Sequence, residues 1–187
     1  MKTAIIIHGR PDKEEYFDPT QPKPIEAHWL PWLKAKLEGD GFVVHLPAMP
    51  VPYEPVYEDW KKVFEEFPID DETTLVGHSR GGGFLLRWLS EHDVQVGKVV
   101  LVAPSITPNP EKVTGFSDFV IDPHFVAKTK GVTLFYSTDD EDGIIESVEK
   151  IKATIPDIKI REFTNKGHFT TGDMGTNEFP ELLEEIK

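Results

Sequence analysis

Cysteine is absent from all 187 residues, which removes disulfide frameworks, thiolate metal sites and cysteine nucleophiles at once. Basic residues are the minority, 20 Lys and Arg against 33 Asp and Glu, and the resulting formal charge of -13 repels phosphate backbones and anionic lipid. Neither nucleic acid nor a membrane surface is expected as a partner. Long apolar runs are missing too. The longest, residues 99–103, is strand-sized and far below the roughly 20 residues that span a bilayer. Lys2 and the run 4–7 imitate a signal segment, but His8, Gly9 and Arg10 end it short of the roughly 7 to 15 apolar residues such a segment needs. An unprocessed start and a cytoplasmic location are expected. No His-Glu-x-x-His pair is present, so neither metal nor cofactor is expected.

What is there suits one domain over residues 1–187. The hydrophobic fraction is 39% and the mean hydropathy -0.34. A chain of this size can remove roughly 70% of its unfolded surface from water around a single core, which permits a monomer or a small homo-oligomer. Short β-branched runs alternate with amphipathic segments, the pattern of parallel strands joined by crossover helices. Strands are predicted at residues 3–8, 42–46, 73–76, 98–103, 132–137 and 158–163. Most are continuous apolar runs, as strands buried on both faces should be. Helical stripes are carried by Trp29, Leu33 and Leu37, with Pro31 in the opening turn, and by Tyr57, Trp60, Phe64 and Phe67. Further stripes are Phe84, Leu85, Trp88 and Leu89; Ile144, Val148, Ile151 and Ile155; and Phe179, Leu182, Leu183 and Ile186. The predicted fold class is α/β, a three-layer α/β/α sandwich with a mostly parallel sheet of about six strands.

Two stretches escape this scheme: residues 9–24, with Pro11, Pro19, Pro22 and Pro24, and residues 105–122, with Pro108 and Pro110. Both follow strands. Ligands of open α/β sheets bind outside the carboxyl ends of the strands, so these segments are expected to wall a site.

The sharpest motif is Gly77-His78-Ser79-Arg80-Gly81. With six serines and 14 glycines, about 0.03 accidental Gly-x-Ser-x-Gly matches are expected in a chain of this composition. Its position supports it, directly after a predicted strand and directly before a predicted helix, the context of a nucleophile elbow whose strained turn lifts a serine hydroxyl above the sheet. A serine needs a base to take its proton and a third group to orient that base. An acid and a histidine follow in chain order: Asp139, Asp140 and Asp142 after the fifth strand, then His168 after the sixth. The other histidines are His8 before the first irregular loop, His78 inside the elbow and pointing away from the nucleophile, and His28, His45, His92 and His124 on helical or strand segments. They read as structural or surface groups. The acidic run lacks the spaced ligands of a calcium loop.

With Ile6-Ile7-His8-Gly9, Pro47-Ala48-Met49-Pro50, Gly77-His78-Ser79-Arg80-Gly81, Ser137-Thr138-Asp139-Asp140 and Gly167-His168-Phe169 in this order, the chain resembles the compact serine hydrolases of the α/β-hydrolase superfamily, the group of retinoblastoma-binding protein nine and YdeN. The resemblance covers nearly the whole chain. It implies a minimal α/β-hydrolase fold without a lid domain, with Ser79 as nucleophile, His168 as base and Asp140 as orienting acid. Asp142-Gly143-Ile144-Ile145 imitates the family's continuation after the acid equally well, which keeps Asp142 as an alternative. The fold further implies an oxyanion hole from the backbone N–H groups of Arg80 and Arg10. The two arginine side chains would either attract an anionic substrate or turn to solvent and pair with the acidic surface. Retinoblastoma binding is not implied, because the corresponding stretch reads Phe67-Pro68-Ile69-Asp70-Asp71 and no cysteine exists.

The expected activity is hydrolysis of small-molecule carboxylic esters through an acyl-enzyme. Thioester or amide hydrolysis by the same triad, or a catalytically silent binding protein on this scaffold, are the alternatives. Ser79 excludes dehalogenase chemistry, which wants an aspartate at the elbow. Phe116, Phe119, Val120 and Phe125 are expected either to line a shallow acyl pocket or to anchor a flap.

Overall fold

The structure is a computed structural model that describes residues 2–107 and 115–187. Six strands, β1 (Thr3–Ile7), β2 (Val43–His45), β3 (Thr74–His78), β4 (Val99–Val102), β5 (Val132–Ser137) and β6 (Lys159–Phe163), form one parallel sheet in the order β2-β1-β3-β4-β5-β6. The helices are α1 (Lys13–Phe17), α2 (Leu30–Gly39), α3 (Tyr57–Phe64), α4 (Arg80–Glu91), α5 (Asp142–Thr154), α6 (Thr171–Met174) and α7 (Pro180–Ile186).

The crossover from β1 to β2 runs one way along the sheet, and those from β3 to β6 run the other. Parallel crossovers are right-handed, so α2 falls on one face and α4 and α5 on the opposite one. Packing agrees. Helix α7 lies against α2, while Phe64 of α3 meets Phe84 and Trp88 of α4 with ring centroids 5.3 and 5.0 Å apart. The result is the α/β/α sandwich of an α/β hydrolase, and it explains why β1, β3, β4 and β5 are apolar almost throughout. Their side chains are covered on both sides in one contiguous core. Each fully buried Ile or Leu there contributes about 1.5 to 3 kcal/mol relative to exposure.

The strand order reverses beside β1, the usual ligand position in such sheets, and residues that follow β1 (Gly9, Arg10, Pro11 and Asp12) and β4 (Ser105 and Thr107) line one cavity. Strand β3 continues two residues past the predicted end, with Gly77 and His78 pairing with Leu101 and Val102 of β4. Glycine's poor strand propensity gives way to a steric demand: a Cβ on Gly77 would lie 2.7 Å from the backbone of Gly81. At the far edge, β6 has no fully buried residue, and Lys159 and Arg161 reach Glu185 of α7 at 2.8 and 3.3 Å. Phe67 lies beyond the end of α3 but still packs on the core.

Two short helices lie where none was predicted. Helix α1 interrupts residues 9–24, opened by Asp12 with Glu15 reaching back to the Asp12 N–H at 3.4 Å. Helix α6 opens with the Thr170 hydroxyl accepting from the Asp173 N–H at 3.2 Å. Both carry the reciprocal cap pattern of an Asp or Thr followed three residues later by an acid. Of the second irregular segment, Pro108 and Pro110 lie outside the described residues. Among the described residues of 105–122 no α-helix forms.

Candidate active site

Ser79 stands between β3 and α4 with φ 53° and ψ -119°, a conformation that a non-glycine residue holds only when its surroundings impose it. They do so through hydrogen bonds. The Ser79 N–H donates to Val102 O at 2.8 Å, and its carbonyl accepts from Ser105 N at 3.0 Å and Gly83 N at 3.1 Å. The glycines let α4 close onto the sheet: a Cβ on Gly81 would lie 2.3 Å from Ile7 O, and one on Gly83 2.0 Å from Ser105 O.

His168 sits on the loop after β6. Its Nδ1 lies 3.0 Å from both carboxylate oxygens of Asp140, whose side chain is completely buried. With Nδ1 donating to Asp140, Nε2 is the ring nitrogen left for Ser79, and both residues line one cavity. Asp139 is engaged elsewhere, accepting from the Ser137 hydroxyl and from Gly167 N, and the Ser137 hydrogen bond holds its carboxyl below the usual range. Asp142 is exposed as the first residue of α5. Of the crowded acids, Asp140 alone reaches the histidine ring among the described residues.

The loop that carries His168 is held by side chains whose part the sequence did not reveal. Buried Ser137 accepts from Lys166 N at 3.1 Å. Asp173 accepts from His168 N at 2.9 Å and from the Thr170 hydroxyl at 2.8 Å. His78, fully buried and kept neutral because burial drives its pKa well below the ordinary value, donates from Nε2 to His168 O at 2.8 Å. The Thr170-x-x-Asp173 pattern was the available signal for the second of these contacts. His28 is also misplaced by the sequence reading. It precedes α2 at φ 56°, accepts from Thr171 N on Nδ1 at 3.2 Å and lines the cavity.

On the other wall, buried His8 accepts from Met49 N on Nε2 at 3.0 Å and donates from Nδ1 to Gly9 O at 2.7 Å. Burial lowers its pKa to about 4. The Gly9–Arg10 amide is trans, so with its carbonyl turned to the His8 ring the Arg10 N–H points away from it. This strip is close to Ser79: a Cβ on Gly9 would lie 3.1 Å from Ser79 Cβ. Among the described residues neither Arg10 N nor Arg80 N has a hydrogen-bond partner.

Neither arginine side chain turns freely to solvent. Arg80 is buried, with Nη1 donating to the Ser117 hydroxyl at 2.8 Å and both Nη atoms reaching Thr107 O at 3.3 Å. About two helical turns further on, Arg87 donates to Gly115 O at 2.7 Å and Phe116 O at 3.1 Å. These two residues anchor the segment after β4 as a flap. The aromatic residues of the flap follow the anchoring alternative: Phe116 and Phe125 are buried in the core, Phe119 is partly covered, Val120 is 88% exposed, and none of the four lines the cavity. The aromatic cluster of Tyr57, Trp60 and Phe84 draws Phe116 inward, away from the cavity.

The cavity has a volume of about 510 Å³. Its apolar walls are Pro11, Pro22, Pro24, Leu30 and Ile144. Among the described residues no group of three or more His, Asp and Glu is placed to hold a metal ion, and no helix is long and apolar enough to cross a membrane.

These features can be set beside known proteins. YdeN of Bacillus subtilis (strain 168), a putative hydrolase, is 28% identical over 165 residues, covering 85% of this chain and 86% of that protein. The serine hydrolase RBBP9 of Rattus norvegicus is 27% identical, covering 85% and 84%. The crystal structure of the B. subtilis ydeN product superimposes with a TM-score of 0.81 over 98% of this chain and 96% of that one, at 26% identity. Est1E of Butyrivibrio proteoclasticus, with ferulic acid bound, shares the fold at a TM-score of 0.67 and 15% identity, covering 100% and 87%. The family model described as Serine hydrolase matches residues 22–187, a span that holds the elbow, the buried acid and the histidine loop, and the chain belongs to that family.

Proposed function

We propose that the protein hydrolyses small carboxylic esters through an acyl-enzyme, with Ser79 as nucleophile, His168 as general base and acid, and Asp140 as the group that orients and stabilises the imidazole. The observation that carries this reading is the 3.0 Å approach of His168 Nδ1 to both oxygens of a fully buried carboxylate, in the cavity that also holds the strained serine. Ser79 Oγ attacks the ester carbonyl carbon while its proton passes to His168 Nε2. Negative charge then develops on the former carbonyl oxygen, where the N–H groups of Arg10 and Arg80 and the positive end of the 12-residue α4 receive it. Collapse expels the alcohol, protonated by the imidazolium, and leaves acyl-Ser79. Water repeats the sequence, giving the carboxylic acid and restoring the hydroxyl. Asp140 stays ionised throughout and favours the imidazolium that forms in each half.

Ser79→Ala tests this. The folded variant should lose labelling by a fluorophosphonate and at least about 10³-fold in kcat on p-nitrophenyl acetate. Wild-type protein that neither labels nor hydrolyses would overturn the reading in favour of a silent scaffold.

A further inference from the structure

The inner end of the cavity carries a charge pattern at odds with the rest of the molecule. The chain has 13 excess negative charges, yet Arg80, 8% exposed, has no carboxylate in ion-pair contact among the described residues. Two carbonyls and one hydroxyl take its N–H groups, and the face of Phe116 lies 5.6 Å from its Cζ. Arg10 lines the same wall. Its side chain is 21% exposed, and its one ion pair among the described residues is a 3.8 Å reach to Asp12, a carboxylate that is itself 81% exposed. After burial, the charge of Arg10 is what pushes the Arg80 pKa down to about 10, so the two guanidinium groups feel each other directly. The positive end of α4 adds to the same spot.

Buried charges are ordinarily paired. A buried guanidinium that no carboxylate among the described residues reaches leaves a place for an anion that comes from outside. Asp12, Glu15 and Glu141 also line the cavity, but all three are exposed and screened by water, whereas both arginines are mostly enclosed.

From this juxtaposition we infer that the substrate carries a carboxylate a few atoms from the scissile carbonyl, as in the half-ester of a short dicarboxylic acid. Arg10 makes the contact. Its planar fork has no hydrogen-bond partner among the described residues and suits a carboxylate in two-point fashion. Arg80, whose N–H groups are engaged by the flap, supplies a fixed positive background. The inference rests on the ester-hydrolase reading above and names its substrate class.

The test compares monoethyl glutarate with ethyl 5-methylhexanoate, in which an isopropyl group replaces the carboxylate, followed by pH-stat at low ionic strength. The wild-type kcat/KM should favour the anionic ester at least about tenfold, and the preference should shrink as salt rises from about 0.01 to about 1 M. Arg10→Gln should reduce the preference at least about tenfold, chiefly through KM of the anionic ester, and Arg10→Lys should keep part of it. Equal use of the two esters by wild type, or a preference that survives Arg10→Gln, would overturn the inference and leave the hydrolase reading standing. Failure of wild type to cleave either ester, together with no fluorophosphonate labelling, would overturn both.

Discussion

The two halves of the site are held in place by different physics. At the elbow, the backbone does the holding: Ser79 is fixed by hydrogen bonds to β4 and its flanking loop, and α4 sits so close to the sheet that only glycine fits at positions 81 and 83. At the base loop, polar side chains do it. Ser137, Asp139, Asp173, His78 and His28 each hold a main-chain group between Lys166 and Thr171. A steric constraint forbids particular residues and so leaves a short motif. A hydrogen-bond network can be met by scattered residues far apart in the chain.

That contrast can be broken or sharpened by substitution. The largest effect is expected on the base side, where Asp140→Asn keeps the shape but offers an N–H to His168 Nδ1 and favours the wrong tautomer. kcat should fall by about 10³- to 10⁴-fold with the fold intact, whereas Asp142→Asn, at an exposed helix start, should change kcat by less than about threefold. A large loss at position 142 and none at 140 would exchange their roles. On the elbow side the damage should fall on stability. In Gly81→Ala the new Cβ meets the Ile7 carbonyl, and rigid backbone on both sides leaves no cheap relief. Urea unfolding should show a loss of about 3 kcal/mol or more. If the variant is as stable as wild type, the close approach of α4 to β1 does not constrain the elbow as described.

The smallest effect is a pH dependence located at His8, beside Ser79. Its folded pKa is lowered from 6.5 to about 4, so the unfolded chain binds more protons between those values and stability must fall as pH drops through this window. Between about pH 7.5 and pH 5 the contribution lost is about 2 kcal/mol. His8→Asn should flatten that slope in unfolding measurements, and an unchanged slope would place the responsible proton elsewhere, His78 being the next candidate.

The elbow, the strand order of types and the histidine after β6 were legible because each depends on neighbours in sequence. The apolar runs gave five of the six strands to within one residue at each end, and the two-residue discrepancy at the end of β3 arose where a long-range contact overruled glycine's local preference. The choice among Asp139, Asp140 and Asp142 was not legible, because it turns on which carboxylate points inward from a tight loop, and chain spacing does not encode that direction. The choice between pocket and anchor for the flap aromatics was open in the sequence for a related reason. Phe116 and its neighbours are apolar enough for a pocket, but Tyr57, Trp60 and Phe84, more than twenty residues upstream, offered them a better partner. Helices α1 and α6 are too short to carry an apolar stripe, and only their cap patterns mark them in the sequence.

The way Arg80 and Arg87 hold the flap bears on how readily this fold could acquire new specificities. Four of their acceptors are main-chain carbonyls, those of Ser105, Thr107, Gly115 and Phe116, and a carbonyl is present whatever the side chain beside it. The anchors therefore impose a path on the flap while leaving much of its residue identity unconstrained. Loop sequences could be exchanged between such anchor points during divergence or in a grafting experiment without first rebuilding the supports. Variation would then accumulate at the mouth of the site, separated from the residues that keep the elbow in place.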